Sequence, residues 1–389
     1  MTPPRAGEAL DERPPAAARA GRFLLSGDGW PYLLVPFIPI AIVLEVVHAD
    51  AVPTFFTSAA GVIPTAALMG RATEELAARS GPGIGGLLNV TFGNAPELII
   101  ALFALGAGLH EVVKASMVGS ILGNILLVMG AAALVGGLKR DRQRFERTAA
   151  SAQSAMLLLA AVALVMPAIF ELVEGRGLPS PGAERIDYDG TVEVLSVAVA
   201  VVLMVSYAAG LLFSLRTHRG LFNPPHAAED AEEELEPWSV RRSVFALALA
   251  GVAVGVMSEI LVGSISDAAE TIGLSEFFIG VIVVAIVGNA AEHWVAVLVA
   301  YKDKMDLAVN IAIGSSAQIA LFVAPVLVLM SWVLGPHPMA LVFNGFELGA
   351  VLLAVLIANH VTNEGATTWF EGFQLLAVYA VLGLAFLFA

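Results

Sequence analysis

The sequence contains no cysteine and few charged residues. Only 14% of its 389 residues are charged, with 34 acidic and 20 basic side chains. The absence of cysteine excludes a disulfide framework and a thiolate metal site. In contrast, 58% of the residues are hydrophobic, and the mean hydropathy is +0.83. This composition indicates an integral membrane protein in a lipid bilayer, and we expect no nucleic-acid partner.

Long uncharged runs predict membrane-spanning helices. Residues 115–138, 148–170 and 194–215 each form an uncharged run, long enough for a helix to cross a hydrocarbon core of about 30 Å. The runs do not alternate polar and apolar residues as barrel strands would. We therefore predict an all-α polytopic membrane protein with eleven transmembrane helices. The predicted spans are 31–49, 53–72, 84–108, 113–137, 148–171, 192–214, 242–265, 276–300, 306–334, 339–359 and 366–388.

The basic residues support this assignment through the positive-inside bias. If the N-terminus is cytoplasmic, all of the 20 Lys and Arg residues fall on the cytoplasmic side except Lys114, Arg176 and Arg185. A missed or invented helix would move every later loop to the opposite side and remove this asymmetry. We expect a protein of a prokaryotic plasma membrane with a cytoplasmic N-terminus.

The net charge of −14 comes largely from one tract between the sixth and seventh predicted spans. This acidic tract contains Glu229, Asp230, Glu232, Glu233, Glu234 and Glu236. It is either a solvated linker or a regulatory surface that senses calcium, since clustered carboxylates are the ligands that calcium prefers. The predicted outer loops add Glu171, Glu174, Glu184, Asp187 and Asp189, which we interpret as ordinary solvated acids.

A five-residue pattern occurs twice within apolar segments, as GNAPE at 93–97 and GNAAE at 288–292. A carboxylate at the centre of a membrane helix costs roughly 2.5 to 3.5 kcal/mol, so Glu97 and Glu292 need a cation or a proton as a partner. Asn94 lies three residues before Glu97, on the same helical face. Pro96 lacks an N–H and should release the Phe92 carbonyl oxygen for cation binding. The alternative is interhelical hydrogen bonding without an ion.

A shift of 195 residues aligns the two halves without a gap, pairing Glu97 with Glu292 and Ser120 with Ser315. The predicted topology runs the two motif helices in opposite directions, so the repeats are inverted. Inverted repeats with a site at their interface are typical of alternating access. The predicted units are a tail at 1–29, an additional helix at 30–52, a first repeat at 53–215, a cytoplasmic acidic linker at 216–241 and a second repeat at 242–389.

Further motifs extend the likeness to a known family. GSILGN occupies 119–124, GSSAQ occupies 314–318, and His293 follows the second glutamate motif. With these motifs, the chain from about residue 60 onward resembles the calcium/proton antiporters, or cation/proton exchangers, of the cation/calcium exchanger superfamily. The resemblance implies that Glu97 and Glu292 are the principal metal and proton ligands. It implies cation- or proton-binding roles also for Asn94, Asn289, Ser120, Asn124, Ser315 and Gln318.

The resemblance also bears on sodium coupling. Related sodium/calcium exchangers tend to carry an additional acid four positions after the second-repeat serine, where this chain has Ile319. We therefore expect a secondary active transporter that exchanges Ca²⁺ for H⁺ and has no cofactor, with Ca²⁺ as the transported ion. A sodium-coupled exchanger, a passive divalent cation channel, transport of other divalent cations and a homo-oligomer are left open. An enzyme is not expected, because neither a His-Glu-x-x-His motif nor a phosphate-binding loop is present.

Several other acids lie in or near the spans. We expect Glu74 and Glu259 to end the first helix of each repeat and to act as gate or vestibule residues, with structural salt bridges as the alternative. Glu347 and Glu371 have no counterpart in the other repeat and are expected at helix interfaces. His293 projects about 100° away from Glu292 and is expected to pack rather than to bind the cation.

Overall fold

The structure, a computed structural model, describes residues 29–181, 185, 188–217 and 238–389. Residues 1–28 of the predicted tail, Glu184, Asp187 and the whole acidic tract lie outside the described residues. The helices are α1 (Phe37–Val46), α2 (Ala51–Arg79), α3 (Gly81–Gly93), α4 (Ala95–Gly106), α5 (His110–Gly137), α6 (Arg147–Val173), α7 (Gly190–Thr217), α8 (Val240–Ile272), α9 (Glu276–Tyr301), α10 (Met305–Met330), α11 (Gly345–Glu364) and α12 (Trp369–Leu387). Two short strands, β1 (Gln143–Arg144) and β2 (Ala366–Thr367), pair antiparallel.

The number of spans differs from the sequence prediction. Among the described residues, 9 helices are long and apolar enough to cross a membrane, and the bent pair of α3 and α4 raises the number to 10. The first predicted span contains α1, which follows a 3₁₀ turn at Trp30–Leu34. The whole apolar helical stretch, Trp30–Val46, is shorter than the helices counted as spans. The membrane-helical class is therefore confirmed, whereas the number eleven is not.

A buried segment without helical structure separates α10 from α11, where the sequence predicted the start of a span at 339. Gly335 has a φ of +88°, and residues 339–343 are all buried. Side-chain hydroxyls satisfy part of their backbone, since Met339 N donates to Ser331 Oγ at 2.8 Å and Leu341 N donates to Ser196 Oγ at 2.9 Å. The apolar residues of this segment are therefore surrounded by protein, and they do not form part of a membrane-spanning helix.

Contacts between loops define two ends of the helix bundle. At the first, the Arg140 end, Arg140 forms an ion pair with Asp303 at 2.9 Å, and β1 pairs with β2. At the second, the Lys114 end, Lys114 Nζ donates to the Val342 carbonyl oxygen at 3.1 Å, and Gly108 packs against Pro336. Each end joins loops that the predicted topology assigns to the same side of the membrane.

The interpretation of Glu171 as a solvated acid is wrong. Its side chain is fully buried and forms ion pairs with Arg185 at 2.8 Å and Arg176 at 3.6 Å. Asp189 caps the N-terminus of α7 and also binds Arg176, at 2.8 Å. A hydrogen bond from the Thr191 backbone N–H, together with Arg176, lowers the pKa of Asp189. These acids hold the loop between α6 and α7 against the end of α6.

The core centres on α5, in which every residue from His110 to Leu122 is buried. This segment packs against the first part of α9, where Gly119 and Gly280 permit close approach of the two backbones. In contrast, α7 and α12 expose many large apolar side chains, such as Val205 and Leu384. The motif-bearing helices thus occupy the interior, with the peripheral helices around them.

Candidate functional site

The first glutamate motif lies at a helix break. Asn94 separates α3 from α4, and the two helices are bent by 43°. Pro96 falls in the first turn of α4, where its missing N–H removes no helical bond. The Phe92 carbonyl accepts the Asn94 N–H, so it is not left free as predicted. Glu97 follows in the first turn, where the helix dipole favours negative charge.

The second motif differs from the first because α9 continues through it without a break. Ala291 occupies the place of Pro96 and keeps its backbone hydrogen bond. Gly288 packs against Glu97, since a Cβ added there would lie 3.4 Å from Glu97 Cγ. The glycine therefore lets the first carboxylate approach the second motif closely.

The two motif asparagines bond to the serines of the opposite half. Ser315 Oγ donates to Asn94 Oδ1 at 2.9 Å, and Asn289 Nδ2 donates to Ser120 Oγ at 3.0 Å. The two residue pairs correspond under the 195-residue shift, but the serine donates in the first pair and the asparagine donates in the second. Asn94, Asn289, Ser120 and Ser315 are all buried. The crossed pairs join α5 and α10 to the motif segments.

Both serine-bearing helices contain a π-helical segment just beyond the hydroxyl. These segments are Gly123–Val128 in α5 and Ile319–Val323 in α10. Asn124 is the second residue of the first segment, and its Oδ1 lies 3.2 Å from His293 Nε2. Gln318 precedes the second segment, and its Oε1 accepts a hydrogen bond from Asn94 Nδ2. Such π turns interrupt the regular hydrogen-bond ladder and often mark functional sites.

The two glutamates lie close enough to interact electrostatically. Ser315 also lies within hydrogen-bonding reach of Glu292. Glu97 Oε2 and Asn289 Oδ1 are buried and have no hydrogen-bond partner. Glu97 faces a cavity that is also lined by Ser116. Glu97 thus lines an interior cavity, with Glu292 within electrostatic range and Asn289 next in sequence to Gly288, which lines the same cavity.

A cation could use this set of oxygen atoms. Among the described residues, no group of three or more Asp, Glu, His or Cys side chains could hold a metal ion. An ion between Glu97 and Glu292 would therefore take its remaining ligands from amides, hydroxyls, backbone carbonyls or water. Calcium accepts six to eight such oxygens.

The predicted gate residues lie within helices and not at their ends. Glu74 is an exposed residue of α2, which continues to Arg79, and it interacts electrostatically with Glu292. Glu259 is exposed on α8, which continues to Ile272. The expectation that both end their helices is wrong, because residues after each glutamate, such as Leu76 and Ala77 in α2 and Leu261 in α8, are good helix formers that continue the helix.

Sequence reasoning missed two polar residues near the site. Ser116 lines the cavity beside Glu97, one helical turn before Ser120. The i, i+4 spacing of the two serines places them on one helical face and was an available signal. Gln153 of α6 packs against Gly314, next to Ser315, but no motif marks it.

Comparisons with known proteins show the family of the chain. Residues 51–216 and 242–388 match the family described as sodium/calcium exchanger protein. The chain is 45% identical over 367 residues to a Ca²⁺/H⁺ antiporter of Aphanothece halophytica, covering 91% of this chain and 95% of that protein. It is 44% identical over 355 residues to the Ca²⁺/H⁺ antiporter ChaA of Bacillus subtilis, covering 91% and 97%.

A solved structure supports the same assignment. The structure of native YfkE matches with a TM-score of 0.78 and 39% identity, covering 92% of this chain and 100% of that chain. These results confirm the family resemblance drawn from the motifs and the prediction that the chain is not an enzyme. The chain belongs to the sodium/calcium exchanger protein family of membrane transporters.

Proposed function

We propose that this protein exchanges Ca²⁺ for H⁺ by alternating access, with Glu97 and Glu292 as shared ligands of both ions. The names of its relatives, which are Ca²⁺/H⁺ antiporters, support Ca²⁺ and H⁺ as the two exchanged ions. The observation that carries the site assignment is the unpartnered Glu97 Oε2, buried with its side chain against Gly288 and within electrostatic reach of Glu292. A buried carboxylate oxygen without a partner is costly unless a cation or proton binds it.

The two carboxylates supply up to four oxygens to a bound calcium ion. Asn289 Oδ1 adds a further buried oxygen that accepts no hydrogen bond. Asn94 Oδ1 is held by Ser315, so its orientation is fixed before an ion arrives. Ile319, which is apolar and 1% exposed, supplies no third carboxylate. This donor set favours one divalent ion over several sodium ions.

Coupling follows from electrostatics. When calcium leaves, two negative charges remain close together in a medium of low dielectric, and protons relieve their repulsion. The doubly protonated site needs no counter-ion, so it can pass through an occluded state that the doubly charged empty site enters rarely. Protons bind to the pair as a unit, and the titration belongs to both groups.

We infer that residues 53–215 and residues 242–389 form two inverted repeats, which rearrange around this site. The crossed bonds support this, because each asparagine of one half bonds to the serine of the other. Movement of one half against the other would alternate the side from which the glutamates are reached. Glu74, on α2, is proposed to attract cations toward Glu292 on one side, and Glu259 on α8 is proposed to do so on the other.

Transport in proteoliposomes tests the proposal. A pH gradient should drive Ca²⁺ uptake without sodium, and each Ca²⁺ moved should displace protons in the opposite direction. Raising the pH on the calcium-binding side should tighten the apparent Ca²⁺ affinity. Glu97→Gln and Glu292→Gln should each abolish uptake, because each removes a charge and keeps the side-chain volume. Glu45→Gln, at an exposed site on α1, is the control and should transport normally.

Three results would contradict the proposal. Ca²⁺ flux without counter-movement of protons would indicate a channel. An absolute requirement for sodium would indicate a sodium-coupled exchanger. Wild-type uptake by either glutamine variant would remove that glutamate from the mechanism.

A further inference from the structure

A buried carboxylate that the exchange mechanism does not use lies at the Lys114 end. Glu347 is the third residue of α11 and is only 2% exposed. Its Oε2 accepts a hydrogen bond from Asn344 N at 2.8 Å, and its own N–H donates to Asn344 Oδ1 at 2.9 Å. Its second oxygen, Oε1, is buried without a hydrogen-bond partner. Capping the helix therefore uses one carboxylate oxygen of Glu347 and leaves the other without a hydrogen-bond partner.

Charged groups at the start of α5 lie near Glu347. Lys114, which is 5% exposed, and Glu111 both lie on α5 and interact electrostatically with Glu347. Lys114 also interacts with His110, which is buried and within electrostatic range of His337. These groups lie where the start of α5 meets segment 335–344, so they connect Glu347 with the exposed His337 at this end.

The side chain of Glu347 also lines a cavity whose exposed surface is entirely apolar. Helix α6 contributes Leu164 and Val165, and α10 contributes Ile319 and Ala324. Such walls offer no oxygen ligands to replace the water around a divalent cation. A proton is different, because it can move along a transient chain of water molecules. The cavity therefore suits a proton and not Ca²⁺.

This cavity adjoins the one that holds Glu97. Met117 and Ile319 line both cavities. Methionine is unbranched and flexible, so Met117 can change rotamer at low cost and open a path between the two spaces. Met117 and Ile319 thus separate the cavity of Glu347 from that of Glu97, and Met117 is the flexible one of the two.

We propose that Glu347 is a proton-binding residue that takes up the counter-transported proton at the Lys114 end and passes it to Glu97. The carboxylate takes one proton from water at this end and becomes neutral. That proton then moves to the Glu97 carboxylate after Ca²⁺ has left, which restores the charge of Glu347. The inference rests on the proposed Ca²⁺/H⁺ exchange and adds a proton path separate from the calcium path.

The relay is one-sided. Under the 195-residue shift, Glu347 corresponds to Ala152, so the first repeat has no carboxylate at this place. The neighbouring Gln153 places an amide against Gly314 instead, and an amide does not carry protons at neutral pH. Protons therefore reach Glu97 through Glu347 at the Lys114 end, and at the Arg140 end they use the same path as Ca²⁺.

Glu347→Gln tests the relay in proteoliposomes through two activities of the same preparation. Exchange of external ⁴⁵Ca²⁺ for internal Ca²⁺ needs no proton movement and should match the wild type. Ca²⁺ uptake driven by a pH gradient should fall by about tenfold or more, since it loses a positioned proton carrier. Glutamine can still accept the Asn344 N–H, so the cap is retained. The matched control is Glu371→Gln, the third residue of the capping box of α12, which should keep both activities.

Wild-type pH-driven uptake by Glu347→Gln would overturn the relay. Equal loss of both activities in folded protein would also overturn it and place Glu347 in the calcium path. If the glutamine variant does not fold, Glu347→Asp keeps the charge but withdraws the carboxyl from the cavity, and the same two activities decide. A wild type that exchanges Ca²⁺ for Ca²⁺ but shows no pH-driven uptake would instead refute the proposed function.

Discussion

Replacing Gly119 by alanine tests the close contact between α5 and α9. A Cβ added at Gly119 would collide with the Val281 carbonyl oxygen and would lie 2.8 Å from Ala285 Cβ. Neither group can rotate away, so the two helices must separate. The hydrogen bond from Asn289 to Ser120, 3.0 Å long, crosses this interface and should lengthen or break.

The second repeat offers a matched control for the size of this effect. A Cβ at Gly314 would meet only the flexible Gln153 side chain, at 3.6 to 3.9 Å. Alanine is favoured over glycine within a helix by about 1 kcal/mol, and this gain is common to both substitutions. Overpacking costs about 1 to 3 kcal/mol. We therefore expect Gly119→Ala to be less stable than Gly314→Ala by about 1 to 3 kcal/mol.

Thermal unfolding of the detergent-solubilised variants, together with Ca²⁺ uptake in everted vesicles, measures both consequences. Gly314→Ala should unfold at or above the wild-type temperature and keep uptake. Gly119→Ala should unfold at a lower temperature and transport poorly. If Gly119→Ala proves as stable and active as Gly314→Ala, the α5–α9 contact does not constrain the site and the reasoning fails.

Two further predictions concern acidic groups away from the site. Hydrogen bonds lower the pKa of Asp189 in the folded protein, so its stabilising effect is present above the unfolded value of about 3.9 and is lost as the pH falls through the lower folded value. Thermal unfolding from pH 5 to pH 2 should show the wild type losing its advantage over Asp189→Asn, and a constant difference would contradict this. Neutralising residues 232–234 together should change the dependence of transport on cytosolic Ca²⁺ without stopping turnover. Complete inactivity at normal expression would place the acidic tract in the transport path.

The positions of the candidate ligands could be predicted because isolated charge inside an apolar run is expensive. Glu97 and Glu292 are therefore visible in the sequence without structural knowledge. The helix break at Asn94 was likewise predictable, since Pro96 limits the backbone hydrogen bonds of the helix before it. The crossed bonds between asparagines and serines were not predictable, because they depend on how the two halves pack.

The prediction from hydropathy that a membrane span begins at residue 339 was wrong for a physical reason. Hydropathy reports that a segment avoids water, but not whether lipid or protein surrounds it. Gly335 and two nearby prolines were the available signals that a helix does not start there. Glu171 was misjudged for a related reason, since its partners Arg176 and Arg185 come from a loop whose path local sequence does not determine.

The π-helical segments in α5 and α10 set the rotational phase of the serine helices. They begin at Gly123 and Ile319, within one residue of each other under the 195-residue shift. A π turn contains an extra residue, so it offsets the downstream part of a helix by roughly 100° from an uninterrupted α-helix. Losing one residue from either segment would rotate the far half of that helix while leaving Ser120 or Ser315 in place. The orientation of the far half of α5 or α10 can thus differ among related transporters while the serine at the site keeps its position.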